Sequence, residues 1–207
     1  MKKYILFDND GVLVETEMWY YEANKKVFKE IFKLPLHEEE YLKLMAKGTT
    51  CWTIAKKMGF TEADVSRARI QRNIFYQEFI QNEDILIPGA KEVIASLHGK
   101  INMAIITTSR REDFEIIHHE KAITQYMDFV LCEGEYSHVK PHPAPYLKGL
   151  ERFGADPEAT LVVEDSERGL TSAVAAGIEC VIVKNEFTKS HDFSSATHFI
   201  ETLNELH

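Results

Sequence analysis

Residues 4–12 read Tyr-Ile-Leu-Phe-Asp-Asn-Asp-Gly-Val, and this stretch decides the expected fold. The run Tyr4–Phe7 is continuously apolar, which is typical of a strand buried on both faces of a sheet. Asp8 and Asp10 follow where that strand would end, and Gly11 allows the chain to turn sharply. Two carboxylates placed in this way can reach one site, although an ordinary acidic turn has the same pattern.

Four further short apolar runs indicate buried strands: Met103–Thr107, Phe129–Cys132, Leu161–Val163 and Cys180–Val183. Helical patterns separate the later runs and end at glycines suited to a helix C-terminus. A chain that alternates strand and helix forms right-handed crossovers and hence a parallel sheet. We therefore predict an α/β fold class, with a Rossmann-like parallel sheet core of five or more strands.

The stretch from residue 16 to residue 82 breaks this alternation. It has the patterns of four helices and no clear strand, and Pro88-Gly89 marks the return to the sheet. We therefore predict two parts. Residues 1–15 and 83–207 form a Rossmann-like core, and residues 16–82 form an inserted all-helical cap domain.

Composition narrows the possible partners. The 207 residues carry a net charge of -9 and no Lys/Arg-rich run, which argues against nucleic acid or an anionic membrane as a partner. Three widely spaced cysteines form neither a disulfide framework nor a zinc pattern, and no stretch approaches the length of a membrane span. We expect a cytoplasmic protein that is a monomer.

Polar side chains suited to phosphoryl transfer follow four of the predicted strands. They are Asp8 and Asp10 after the first strand, Thr107, Thr108 and Ser109 after the second, Lys140 after the third, and Glu164 and Asp165 after the fourth. Each also has an ordinary explanation, such as a helix N-cap, a solvated loop lysine or an acidic helix start. Their joint placement is more informative, because ligands of open parallel sheets bind at the carboxyl ends of the strands.

At these residues the chain resembles the haloacid dehalogenase-like hydrolase superfamily. The first family motif matches Phe-Asp-Asn-Asp-Gly-Val-Leu-Val-Glu-Thr at residues 7–16, and the second matches Ile-Ile-Thr-Thr-Ser at 105–109. Lys140-Pro141 is similar to the third motif. Val-Val-Glu-Asp-Ser-Glu-Arg-Gly-Leu at 162–170 is similar to the fourth. The helical insertion resembles the cap of the subgroup that includes β-phosphoglucomutase and phosphoglycolate phosphatase.

The resemblance implies a role for each residue of these motifs. Asp8 would attack phosphorus and become phosphorylated, and Asp10 would act as general acid and then general base. Thr107 would hydrogen-bond the transferring phosphoryl group, while Lys140 would offset negative charge. The neighbouring hydroxyls of Thr108 and Ser109 are further candidates for holding phosphate oxygens.

The same resemblance implies Mg²⁺ as the cofactor. Its ligands would be the Asp8 carboxylate, the Asp10 carbonyl oxygen and Asp165. Glu164 would be either a further ligand or a hydrogen-bond partner of the ligands.

Substrate choice is expected to depend on the cap. Tyr20, Lys47, Gly48 and Thr49 are the candidate substrate contacts, in a cap that would close over the site. The chain also departs from the family pattern. Asn9 replaces an apolar residue common between the two aspartates. Cys51 stands where the mutases carry an arginine, and the histidine that they carry near Tyr20 is absent.

These observations favour a Mg²⁺-dependent phosphatase that hydrolyses a small phosphomonoester, a sugar phosphate or similar metabolite, through a phospho-aspartate. A phosphohexomutase of the β-phosphoglucomutase type is the alternative, and haloacid dehalogenation is a weaker one. A non-enzymatic switch phosphorylated on aspartate is more remote, because a receiver domain is shorter and lacks a helical insertion.

Overall fold

The computed structural model describes residues 2–46 and 49–206. The chain divides into two compact units. One, here called the sheet unit, comprises Met1–Glu15 and Ile85–His207, and the other, the helical unit, comprises Thr16–Asp84. That these units act as a catalytic core and a cap stays a prediction.

The sheet unit contains one six-stranded parallel sheet. Its strands are β1 (Tyr4–Phe7), β2 (Asn102–Ile106), β3 (Phe129–Leu131), β4 (Thr160–Glu164), β5 (Glu179–Val183) and β6 (His198–Ile200). They lie in the order β3-β2-β1-β4-β5-β6. The strand order reverses between β1 and β4, and such a switch point is where open α/β sheets bind their ligands. Asp8 leaves the sheet at this point.

The helical unit contains four α-helices in its described residues. They are α1 (Glu17–Val27), which continues as a π-helical turn over Phe28–Phe32, α2 (Glu38–Ala46), α3 (Trp52–Lys57) and α4 (Glu62–Asn82). Thr61 and Asp64 form a capping box that fixes the start of α4. Aromatic rings fill the interior, with the Phe32 and Phe60 ring centroids 4.5 Å apart.

Four α-helices cover the two faces of the sheet: α5 (Ala90–Leu97), α6 (Arg111–His118), α7 (Ala144–Phe153) and α8 (Glu167–Ala175). Successive residues of β1 alternate between the faces, as the pleat of a strand requires. Ile5 and Phe7 join a cluster that contains Phe114 of α6, while Leu6 joins a cluster that contains Tyr146 of α7. Both faces of β1 are therefore buried, which explains its unbroken apolar sequence.

The predicted α/β fold class is confirmed, and the five predicted strands are present with bounds that shift by at most one residue at either end. The sixth strand, His198–Ile200, was not predicted. Only Ile200 of its three residues is buried, so the sequence lacks the apolar run that marked the others. Within residues 2–46 and 49–206, no helix is both long enough and apolar enough to cross a membrane.

We predict that Leu6→Ala destabilises the sheet unit strongly. Leu6 is fully buried at the centre of the sheet, so truncation leaves a cavity and lowers the free energy of unfolding by about 2–5 kcal/mol. Denaturant unfolding monitored by circular dichroism measures this change. Val174→Ala, at a 47% exposed position on α8, is the control and should change stability by less than about 0.5 kcal/mol. Equal effects of the two substitutions would contradict the assignment of Leu6 to the core.

Candidate active site

The ammonium of Lys140 lies at the centre of the carboxyl ends of the strands. Its Nζ donates to Asp8 Oδ1 at 2.7 Å, to Glu164 Oε1 at 2.7 Å and to the carbonyl oxygen of Ile106 at 2.9 Å. Lys140 is only 4% exposed, which excludes the solvated loop lysine that the sequence left open. A buried ammonium must be paired with charge and saturated with acceptors, and these three oxygens meet that requirement.

Glu164 is fully buried, and hydrogen bonds reach both of its carboxylate oxygens. Oε1 accepts from Lys140 and from the Tyr146 hydroxyl at 2.7 Å, while Oε2 accepts from the backbone N–H of Asp165 and from the Ser166 hydroxyl at 3.0 Å. Burial raises the pKa of Glu164, but the charge of Lys140 and these hydrogen bonds outweigh it and hold the pKa below its ordinary value. Glu164 therefore stays ionised and anchors Lys140.

Asp8, the predicted nucleophile, shares this environment but has fewer donors. Burial and the negative charge of Glu164 raise the pKa of Asp8 to about 7, although Lys140 acts in the opposite direction. Oxygens of Asp8, Glu164 and Asp165 lie within 4.8 Å of one another. One ammonium cannot neutralise three buried carboxylates, and hard oxygen ligands with excess negative charge suit a divalent cation such as Mg²⁺.

Two glycines make room for the carboxylates of this cluster. A Cβ atom on Gly11 would lie 2.1 Å from Asp165 Oδ2, and Gly11 also has a positive φ of 79°. A Cβ atom on Gly169, in α8, would lie 1.8 Å from the Glu164 carboxyl carbon. Both separations are far below van der Waals contact, so each carboxylate occupies space that any other residue would fill.

Asp10, the predicted general acid and base, is held by hydroxyls from the end of β2. Its Oδ2 accepts from Ser109 Oγ at 2.6 Å and from Thr107 Oγ1 at 3.2 Å. The Ser109 backbone N–H donates to Thr107 Oγ1 at 3.0 Å, which orients that hydroxyl towards Asp10. Thr107 is fully buried, and Thr108 beside it is half-buried. The structure thus joins Thr107 and Ser109 to Asp10, and Lys140 to Asp8 and Glu164.

The candidate substrate contacts in the helical unit are less organised. Tyr20 is half-buried, and its ring centroid lies 5.3 Å from that of Tyr76. Thr49 is exposed, and its hydroxyl donates to the carbonyl oxygen of Leu44. Lys47 and Gly48 lie outside the described residues. Cys51 is buried, with its thiol 3.5 Å from Asn24 Oδ1.

Arg72 of α4 is a residue that the sequence reasoning missed. The residue is 8% exposed, its guanidinium carbon lies 4.1 Å from the Tyr20 ring centroid, and its Nη1 donates to Asn24 Oδ1 at 3.5 Å. Its Nε donates to Asn73 Oδ1 at 2.9 Å. Arg72 falls in the buried series Val65, Ala68, Arg72, Phe75, whose spacing of three and four residues marks one helix face. A charged residue in that apolar series was the signal in the sequence.

Comparison with known proteins identifies the family of this chain. Residues 5–183 match the family model described as haloacid dehalogenase-like hydrolase. The chain is 32% identical over 213 residues to protein CbbY of Rhodobacter capsulatus, covering 94% of this chain and 90% of that protein. It is 30% identical over 182 residues to the phosphorylated carbohydrates phosphatase of Thermotoga maritima, covering 84% and 82%.

The fold is likewise similar to a solved structure, that of CbbY from Rhodobacter sphaeroides in complex with phosphate. The TM-score is 0.84 at 25% identity, covering 100% of this chain and 96% of that one. The predicted resemblance is thereby confirmed, and with it the expectation of an enzyme. On sequence and fold, the chain belongs to the haloacid dehalogenase-like hydrolase family.

Proposed function

We propose that this protein is a Mg²⁺-dependent phosphatase that hydrolyses a small phosphomonoester through a phospho-aspartate at Asp8. One observation carries the proposal: the Asp8 carboxylate is buried at the switch point of the sheet, 2.7 Å from the Lys140 ammonium and beside Asp165. The Thermotoga maritima relative, named as a phosphatase of phosphorylated carbohydrates, supports a sugar phosphate or similar metabolite as the substrate.

Asp8 is the nucleophile in this proposal. One of its oxygens attacks phosphorus, and the resulting aspartyl-phosphate divides a difficult hydrolysis into two easier steps. Lys140 lowers the repulsion between this carboxylate and an incoming phosphate dianion, and it is held for that purpose by Glu164. The Thr108 hydroxyl is a proposed hydrogen-bond donor to phosphate oxygens, and those of Thr107 and Ser109 become donors to phosphate when they turn from Asp10 to the substrate.

Asp10 transfers the protons. It protonates the leaving oxygen in the first step and removes a proton from water in the second. Thr107 and Ser109 both donate to Oδ2, so that oxygen is held as an acceptor. The hydroxyls therefore orient the carboxyl group as well as bind it.

The residues present fit a magnesium site. Asp8, Asp165 and the Asp10 carbonyl oxygen are the proposed ligands, whereas the oxygens of Glu164 already accept hydrogen bonds, so we assign Glu164 to Lys140. When bound, Mg²⁺ supplies positive charge that brings carboxylate and phosphate together.

Mutase activity is a second candidate, and Arg72 is the observation that favours it. A mutase must bind the distal phosphate of a bisphosphate, for which a planar guanidinium is well suited. Cys51 does not supply that group, but Arg72 lies in the same buried cluster around Asn24. We still favour hydrolysis, because the sequence has no histidine near Tyr20 that would couple sugar binding to Asp10.

The substrate contacts of the helical unit, the cytoplasmic location and the monomeric state stay predictions.

We predict metal-dependent phosphatase activity. The purified protein should hydrolyse 4-nitrophenyl phosphate in the presence of Mg²⁺, which is measured as release of nitrophenolate. The activity should be lost in EDTA and should return when excess Mg²⁺ is added. Asp8→Asn is the matched control for contaminating phosphatases and should lower the rate by at least about 10³-fold, because an amide is a poor nucleophile. Equal rates with and without chelator would refute the metal, and an active Asp8→Asn enzyme would refute the covalent mechanism.

We predict that Gly169→Ala impairs catalysis. The added Cβ atom must displace Glu164, and Lys140 and Asp8 move with it, so kcat/KM should fall by about 10²-fold. Thr171→Ala, an exposed position on the same helix, should be silent. If the space were free, Gly169→Ala would instead stabilise the helix by about 1 kcal/mol. A more stable and fully active variant would therefore contradict the assignment.

We predict hydrolysis rather than isomerisation. Incubation with β-glucose 1-phosphate, with and without β-glucose 1,6-bisphosphate, should release inorganic phosphate and form no measurable glucose 6-phosphate. Phosphate is measured by a molybdate assay and glucose 6-phosphate by a coupled dehydrogenase assay. Stoichiometric conversion without phosphate release would promote the mutase instead.

A further inference from the structure

The side chain of Asn9 connects a buried histidine with the proposed proton-transfer residue. Asn9 is completely buried between Asp8 and Asp10. Its Oδ1 lies 2.7 Å from Nε2 of His118, which ends α6, and its Nδ2 donates to Asp10 Oδ2 at 3.4 Å, a long hydrogen bond. The Asn9 carbonyl oxygen also accepts from the backbone N–H groups of Leu13 and Val14, so the backbone beneath this side chain is fixed.

The donor in the hydrogen bond between His118 and Asn9 follows from the orientation of the Asn9 amide. If the Asn9 amide were reversed, its oxygen would face the Asp10 carboxylate, and two acceptors would oppose each other. Asn9 Oδ1 therefore faces His118, and the Nε2–H of the imidazole donates to it. Among the described residues, no hydrogen-bond partner is found for His118 Nδ1, as expected for the unprotonated nitrogen of this tautomer.

The surroundings of His118 keep its imidazole neutral and closely packed. His118 is 6% exposed, and its ring centroid lies 4.4 Å from that of Phe114. Burial lowers the pKa of His118 to about 4, so the imidazole carries no charge near neutral pH. A fixed, neutral donor holds the Asn9 amide in one orientation.

We propose that Asn9 and His118 are positioning residues that orient the Asp10 carboxyl group for proton transfer, an inference that rests on the proposed phosphatase function. His118 fixes the Asn9 amide, and the amide directs an N–H towards Asp10 Oδ2. That oxygen also accepts from Thr107 and Ser109. Loss of either member of the Asn9–His118 pair releases one of the groups that hold Asp10.

A packing role alone would not require this pair. Phe7, Val12 and Leu13 are fully buried around the same turn, and an apolar pair of similar shape would avoid the cost of burying an amide and an imidazole. The polar pair is instead continuous with a carboxyl group of the proposed reaction. This difference gives the proposal a kinetic test.

The test exploits the leaving group. Glycerol 2-phosphate releases an alkoxide and needs a proton from Asp10, whereas 4-nitrophenyl phosphate releases a stabilised phenolate and needs little help. For each ester, kcat/KM reports the steps up to cleavage of that bond. We expect His118→Leu and Asn9→Leu each to lower the ratio of kcat/KM for glycerol 2-phosphate over 4-nitrophenyl phosphate by about tenfold, a part of the 10²–10⁴-fold owed to a general acid.

Three further variants separate positioning from packing. The double variant, Asn9→Leu with His118→Leu, places two apolar side chains in contact. Its thermal stability should exceed that of either single variant, whereas its ratio of kcat/KM values should stay low. His118→Gln retains an N–H donor and should return the ratio to within about threefold of wild type. His119→Leu, at the exposed neighbouring residue, is the control and should match wild type.

The outcomes are distinguishable. A wild-type ratio in His118→Leu or in the double variant would overturn the inference. So would an equal loss of kcat/KM on both esters, or a ratio in His118→Gln as low as that in His118→Leu. The proposed function would survive each of these results. A wild-type protein without Mg²⁺-dependent turnover of either ester would instead refute the proposed function itself.

Discussion

The buried ammonium of Lys140 is the constraint on which the rest of the site depends. A lysine withdrawn from water is tolerated only when charge and hydrogen bonds compensate the lost hydration. Asp8, Glu164 and the Ile106 carbonyl oxygen provide that compensation from three different strand ends. Their positions are therefore fixed together, and Gly169 has no side chain because the Glu164 carboxylate occupies its place. Replacing one partner would leave an uncompensated charge in the interior.

The same arrangement leaves negative charge in excess. The charge of Lys140 and hydrogen bonds to both oxygens hold the pKa of Glu164 below its ordinary value. Burial and the negative charge of its acidic neighbours raise the pKa of Asp8, although Lys140 acts in the opposite direction. Asp165 adds a third carboxylate to the cluster. This excess of negative charge suits the divalent cation of the proposed function.

Two further polar groups lie where apolar residues would pack more simply. Asn9 and His118 form a hydrogen-bonded pair beside Asp10, and Arg72 lies among the aromatic rings of the helical unit. Buried polar groups of this kind cost stability, and their cost is acceptable where they orient a reacting group or bind a charged ligand.

The sequence by itself determined the sheet and the identity of the acidic residues. Unbroken apolar runs identify strands buried on both faces, and the residues directly after such strands must meet at one edge of a parallel sheet. It did not reveal β6, an edge strand with one buried residue, nor the burial of Lys140 in what reads as a polar loop. Only the tertiary structure decided that His118 contacts Asn9, 109 residues away, because local patterns carry no information on which distant side chains meet. Hydrophobic periodicity is a local property, whereas the pairing of buried charges depends on how the completed fold brings strand ends and helix ends together.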